Sequence, residues 1–127
     1  MNSAVRVRRV LVVDDDMDMV LSLTTLLRVM GHEAAGLTNA MKALDAAQSF
    51  RADIAFFDLA MPKVDGYELA RLFRGTLALG RITLVAVSGH GSADDRGHAR
   101  RAGFDAHVMK PVDPPMIEAI LSQFHDE

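Results

Sequence analysis

The chain of 127 residues contains no cysteine, which excludes disulfide bonds, thiolate chemistry and cysteine-ligated metal sites. No apolar run approaches the roughly 20 residues that a membrane-spanning helix needs. The first residues also lack the apolar core of a secretory signal. We therefore expect a cytoplasmic protein without a membrane partner. No repeat, low-complexity segment or linker divides the chain, so we expect a single domain over residues 1–127, with its core at about 8–125.

An excess of positive charge is also missing. The formal net charge is −3, whereas proteins that bind nucleic acids usually carry a basic patch, so we expect no direct contact with nucleic acid. Arg6, Arg8 and Arg9 form a small basic cluster near the start of the chain. We interpret this cluster as the solvated end of a strand.

Short apolar runs alternate with segments that have helical periodicity. The runs predict strands at residues 9–13, 32–37, 53–58, 82–88 and 106–110, of which the first and third are expected to be buried, the second is a weak strand and the fifth is short. Five such strand–helix units with short connections predict an α/β fold with three layers, in which helices cover both faces of a parallel sheet.

Local signals place the helices between these strands. Gly31 is suited to the position after the first helix, and Asp113 followed by a proline begins the last one. Ser92 and Asp95 resemble a capping box for the fourth. The apolar stripe of the second helix is predicted to contain Met41, Leu44 and Ala47, and that of the third helix to contain Leu69, Leu72 and Phe73.

Polar residues follow four of the predicted strands, and ligands of parallel sheets bind at this edge. Asp14 and Asp15 follow the first strand, Asp58 ends the third, Ser88 the fourth and Lys110 the fifth. Two unit charges 4 Å apart repel by about 4 kcal/mol at an effective dielectric constant near 20, so clustered carboxylates favour a cation. Oxygen ligands indicate Mg²⁺ or Ca²⁺, and the small number of carboxylates favours Mg²⁺.

Together these residues could handle a phosphoryl group. Lys110 supplies a compact positive charge and Ser88 a hydroxyl donor, while Asp58 could act as a nucleophile that forms an acyl phosphate. A structural role competes with this interpretation, because Asp14 and Asp16 could each cap the first helix. Asp16 is the better candidate for the cap.

The sequence resembles the receiver domain of two-component response regulators. The matching stretches are VLVVDDD, DIAFFDLAMPKVDGYEL, LVAVSG and GFDAHVMKPVD, which span Val10 to Asp113. The resemblance implies a flavodoxin-like fold with strand order 2-1-3-4-5. It also implies a cis peptide bond between Lys110 and Pro111.

The resemblance further implies residue roles. Asp58 would be the phospho-acceptor, and Mg²⁺ would bind Asp14, Asp15, Asp58 and the backbone carbonyl of Ala60. Ser88 and Lys110 would contact the phosphoryl group. A sensor histidine kinase or histidine phosphotransfer domain would be the donor, and the fourth and fifth strands with the fourth and fifth helices would signal to an unidentified downstream protein. We expect a monomer or weak dimer.

One departure from the family pattern concerns the residues that would change conformation on phosphorylation. The resemblance implies that Ser88 and His107 form this switch pair. His107 stands where many receivers have tyrosine or phenylalanine, which puts a switch based on an aromatic side chain in doubt. The chain could be a stand-alone receiver or part of a hybrid kinase.

Two other functions remain open. A haloacid-dehalogenase-like phosphatase would use an Asp-x-Asp pair such as Asp16 and Asp18, although Asp18 should lie inside the first helix. A flavodoxin-like cofactor binder would need a phosphate-binding loop, whereas the loop after the first strand is acidic.

Overall fold

The computed structural model describes residues 7–61, 64–79, 81–89 and 93–124, with side chains omitted for 93–95. Its five strands form one parallel sheet in the order β2-β1-β3-β4-β5. The strands are β1 (Arg9–Val13), β2 (Glu33–Leu37), β3 (Ile54–Asp58), β4 (Thr83–Ser88) and β5 (Ala106–Met109). The predicted fold class and strand order are confirmed.

A helix follows each strand. The helices are α1 (Met17–Val29), α2 (Ala43–Phe50), α3 (Gly66–Gly75), α4 (Ala93–Ala102) and α5 (Pro114–Gln123). Short 3₁₀ turns at Ala40–Lys42 and Leu77–Leu79 precede α2 and β4. Among the described residues, no helix has the length and apolar character needed to cross a membrane.

The sheet separates the core into two layers because successive side chains of a strand point to opposite faces. Leu11 of β1 and Phe57 of β3 pack with α2, α3 and α4 on one face. Val12 and Phe56 pack with α1 and α5 on the other. The central strands β1, β3 and β4 are therefore almost completely buried on both sides, as expected for a parallel sheet, whereas the edge strands β2 and β5 are partly exposed.

The helix boundaries follow the predicted capping residues where these are described. Asp16 caps α1 by accepting a hydrogen bond from the Asp18 N–H, and Asp113 caps α5 in the same way through Met116. Gly31 follows α1 with φ +98°, a conformation that favours glycine. The proposed Ser92–Asp95 capping box lies outside the described side chains.

The prediction that Met41 and Leu72 belong to the core is wrong. Met41 is 76% exposed, because it lies in the 3₁₀ turn before α2, where three residues per turn shift the phase of the stripe. Ala43 and Ala47 are buried instead. Leu72 is 54% exposed because α3 presents Leu69, Ala70 and Phe73 to the sheet.

The prediction of a solvated basic cluster is wrong for Arg8, which is only 4% exposed. Its guanidinium donates hydrogen bonds to the carbonyls of Leu121, at 3.0 Å, and Phe124. The last carbonyls of a helix have no partner within the helix, so a buried arginine can satisfy them. Arg8 therefore joins β1 to the end of α5.

Candidate functional site

The carboxyl ends of the central strands bring the predicted site residues to one edge of the sheet. Asp14 directly follows β1, Asp58 ends β3 and Ser88 ends β4. Asp58 pairs in register with Val87, the residue before Ser88. Lys110 directly follows β5, and its N–H donates a 2.8 Å hydrogen bond to the Ser88 carbonyl.

Three carboxylates form a compact cluster at this edge. Asp14, Asp15 and Asp58 each contribute an oxygen, and these oxygens lie within 4.8 Å of one another. Asp14 and Asp58 are buried, whereas Asp15 is exposed. This arrangement gives a cation an accessible side and three hard oxygen donors, which fits Mg²⁺ with retained waters.

Lys110 supplies the positive charge nearest to the cluster among the described residues. Its Nζ lies 3.3 Å from Asp14 Oδ2 and 3.5 Å from Asp58 Oδ2. The peptide bond between Lys110 and Pro111 is cis, as the family resemblance predicted.

The electrostatics of the site reflect this crowding. Burial raises the pKa of Asp14 to about 6, and the Asp58 carboxylate acts in the same direction, against the Asp16 N–H and the Lys110 ammonium. Burial alone would lower the pKa of Lys110, but the carboxylates of Asp58 and Asp14 outweigh it and raise that pKa. One lysine therefore offsets only part of the repulsion among the acids.

Backbone groups hold the two buried carboxylates in place. The Ala60 N–H donates to Asp58 Oδ1, and the Asp16 N–H donates to Asp14 Oδ1, each at 3.0 Å. These contacts place Ala60 directly beside the cluster. Its carbonyl as a metal ligand stays a prediction.

Gly66 is a site residue that the sequence analysis did not single out. A Cβ at this position would lie 3.0 Å from the Asp58 carbonyl oxygen and from the Leu59 Cα. The absence of a side chain thus lets the first turn of α3 pack directly on the backbone that carries Asp58. The Asp65-Gly66 pair in the sequence was the available signal, but it does not reveal this close approach.

Ser88 contacts the residue at the predicted switch position. Its Oγ lies 2.7 Å from the Nε2 of His107, within hydrogen-bonding distance. Ser88 is buried and His107 is half-buried. The structure therefore brings the two predicted switch residues together.

Comparison with known proteins agrees with this geometry. A family model described as the response regulator receiver domain matches residues 10–122. The chain belongs to the response-regulator receiver family. Members of this family are signalling domains that are characteristically phosphorylated on aspartate and bind Mg²⁺ at an acidic pocket.

Individual relatives cover most of this chain. The polar-differentiation response regulator DivK of Brucella anthropi is 30% identical over 91% of this chain and 94% of its own length. The transcriptional regulatory protein PrrA of Mycobacterium tuberculosis is 35% identical over 87% of this chain, but over only 47% of its own. The second similarity is thus confined to part of a longer protein.

Solved structures share the fold. The chemotaxis protein CheY4 of Vibrio cholerae has a TM-score of 0.86 at 22% identity, covering 93% of this chain and 98% of that one. A CheY-like receiver domain from Methanospirillum hungatei has a TM-score of 0.81 at 28% identity, with 93% of each chain covered.

Proposed function

We propose that Asp58 accepts a phosphoryl group from a phosphohistidine donor. The observation that carries this proposal is the position of the Lys110 ammonium, 3.5 Å from a buried carboxylate that also belongs to a three-acid cluster. A carboxylate oxygen of Asp58 attacks phosphorus, the bond from phosphorus to the donor nitrogen breaks, and an acyl phosphate forms. The donor histidine leaves with the electron pair of that bond.

The surrounding residues supply charge and hydrogen bonds. The Lys110 ammonium stabilises negative charge on the transferring group, and the Ser88 hydroxyl donates to one of its oxygens. Asp14, Asp15, Asp58 and the Ala60 carbonyl would hold Mg²⁺, which neutralises further charge on the phosphoryl group when bound. The Ala60 N–H keeps Asp58 oriented through the bond to Oδ1.

Response regulators interact with histidine kinases and downstream effectors. We propose that a sensor histidine kinase or histidine phosphotransfer domain phosphorylates this chain. The surface formed by β4, α4, β5 and α5 would then change and be recognised by a downstream protein. A cytoplasmic location, a monomeric or weakly dimeric state, and the absence of other catalysis belong to the same proposal.

Intact mass after incubation with Mg²⁺ and acetyl phosphate tests the acceptor. We expect one phosphoryl adduct on the parent and none on Asp58→Asn. Asp65→Asn is a matched control, because Asp65 is exposed and asparagine also caps helices well. An adduct that persists on Asp58→Asn, or none on the parent, would contradict the assignment.

The phosphatase alternative has no support among the comparisons. Its candidate nucleophile Asp16 instead caps α1 through the Asp18 N–H, and Asp18 lies within that helix. Steady release of inorganic phosphate from a generic ester would favour that function. A stoichiometric adduct favours the receiver.

A further inference from the structure

The contact between Ser88 and His107 differs from a simple packing contact. Ser88 Oγ and His107 Nε2 are 2.7 Å apart, a distance at which one atom donates a proton to the other. The two residues lie on neighbouring strands, since Ala86 pairs with His107 and Ser88 with Met109. Both side chains therefore lie on the same face of the sheet, the face that α4 covers.

The direction of this hydrogen bond limits what Ser88 can do. A serine hydroxyl has one proton to donate but two lone pairs to accept with. If Ser88 donates to the imidazole, that proton cannot point at a phosphoryl oxygen on Asp58. If the imidazole donates from Nε2, Ser88 accepts through a lone pair and can point its proton at a phosphoryl oxygen on Asp58.

We propose that His107 is a positioning residue, which donates from Nε2 to Ser88 Oγ in the phosphorylated state and so directs the Ser88 proton at the phosphoryl group. This inference rests on the proposed function of Asp58. It requires no charge on the ring, because the neutral tautomer protonated at Nε2 donates equally well. It also gives the imidazole a role that a phenylalanine at this position could not perform.

Binding of beryllofluoride with Mg²⁺, a mimic of the phosphoryl group, provides the functional test. His107→Phe keeps a planar ring but loses the donor, and we expect its affinity to fall roughly fivefold, the equivalent of one neutral hydrogen bond. His107→Gln keeps an N–H donor of similar reach and should stay within about twofold of the parent. Met109→Leu is the matched control on the same strand.

The protonation of the ring gives a second, spectroscopic readout that a purely structural role would not change. Long-range proton–nitrogen NMR spectra should show His107 protonated at Nε2 when the mimic is bound. His32 is an internal reference in the same spectra, because its Nδ1 accepts from the Arg8 N–H and should not respond to the mimic.

The possible results distinguish a failure of the proposed function of Asp58 from a failure of the positioning role of His107. If the parent itself fails to bind the mimic, the proposed function of Asp58 fails. If the parent binds but His107→Phe binds equally well or more tightly, the positioning role is wrong. Loss of affinity in both His107→Gln and His107→Phe, or an unprotonated Nε2 in the bound state, would also overturn it.

Discussion

Replacing Asp14 with asparagine should make the metal-free protein more stable at pH 7. Asp14 is 3% exposed, and its burial, helped by the Asp58 carboxylate, raises its pKa to about 6. At pH 7 the ionised side chain therefore destabilises the folded state, which an uncharged amide would not do. The amide oxygen can still accept from the Asp16 N–H, and Lys110 keeps Asp58 as its partner.

The size of the effect follows from the difference between the folded pKa of about 6 and the ordinary value of 3.8. The folded state binds a proton on the Asp14 carboxyl more tightly than the unfolded state does. The stability that this protonation contributes is therefore fully present below pH 3.8 and is lost as the pH rises through 6. Between pH 7 and pH 5, the parent should therefore gain about 1.3 kcal/mol that the Asp14→Asn variant does not.

Urea unfolding of both proteins at pH 7 and pH 5, without divalent cations, measures this quantity. The free energy of unfolding of the variant minus that of the parent is compared at the two pH values, since other titrating groups cancel in the difference. We expect a positive difference at pH 7 that shrinks by about 1.3 kcal/mol at pH 5. A difference that is constant, or that grows as the pH falls, would refute the reasoning.

Three further predictions concern the metal site, His32 just before β2, and Gly97 in α4. The affinity for Mg²⁺ should fall about tenfold from pH 7 to pH 5, because a proton on Asp14 with a pKa of about 6 competes with the ion; equal affinities in a Mg²⁺ titration would contradict this. Burial and the Arg8 guanidinium lower the pKa of His32, so its contribution to stability is lost as the pH falls below 6.5. The free energy of unfolding of a His32→Gln variant in urea, minus that of the parent, should therefore rise from pH 7 to pH 5, and a difference that stays constant would count against the prediction. Gly97→Ala should slow hydrogen exchange in α4 about fivefold, because an interior glycine costs a helix roughly 1 kcal/mol and the nearest neighbour of the added Cβ is 3.4 Å away; Gly75→Ala, at the end of α3, should leave α4 exchange unchanged.

The sequence alone indicated the order of strands and helices and the set of polar residues at the strand ends. Strands buried on both faces read as short continuous apolar runs, and Asp16, Gly31 and Asp113 mark helix ends by local hydrogen bonding or backbone conformation. These signals depend on neighbours within a few residues. Parallel topology then requires that Asp14 and Asp58 meet at one edge.

The wrong predictions of burial for Met41 and Arg8 have a different origin. Met41 fits a helical stripe in the sequence, but it lies in a 3₁₀ turn that leaves its side chain on the surface. Arg8 reads as solvated, yet the end of α5 lies close enough to bury it. The error at Met41 is thus a local change of helix type, whereas the error at Arg8 arises from a distant segment whose position is set by the packing of the whole domain.

The functional details also required the tertiary structure. The raised pKa of Asp14 arises mainly from burial, Gly66 approaches the backbone at Asp58 across the turn before α3, and the hydrogen bond between Ser88 and His107 joins two strands. Burial and distance between such groups depend on how the strands and helices pack, and periodicity carries no information about either. The sequence therefore determined which chemical groups are present at the site, whereas packing decided their desolvation, orientation and mutual contacts.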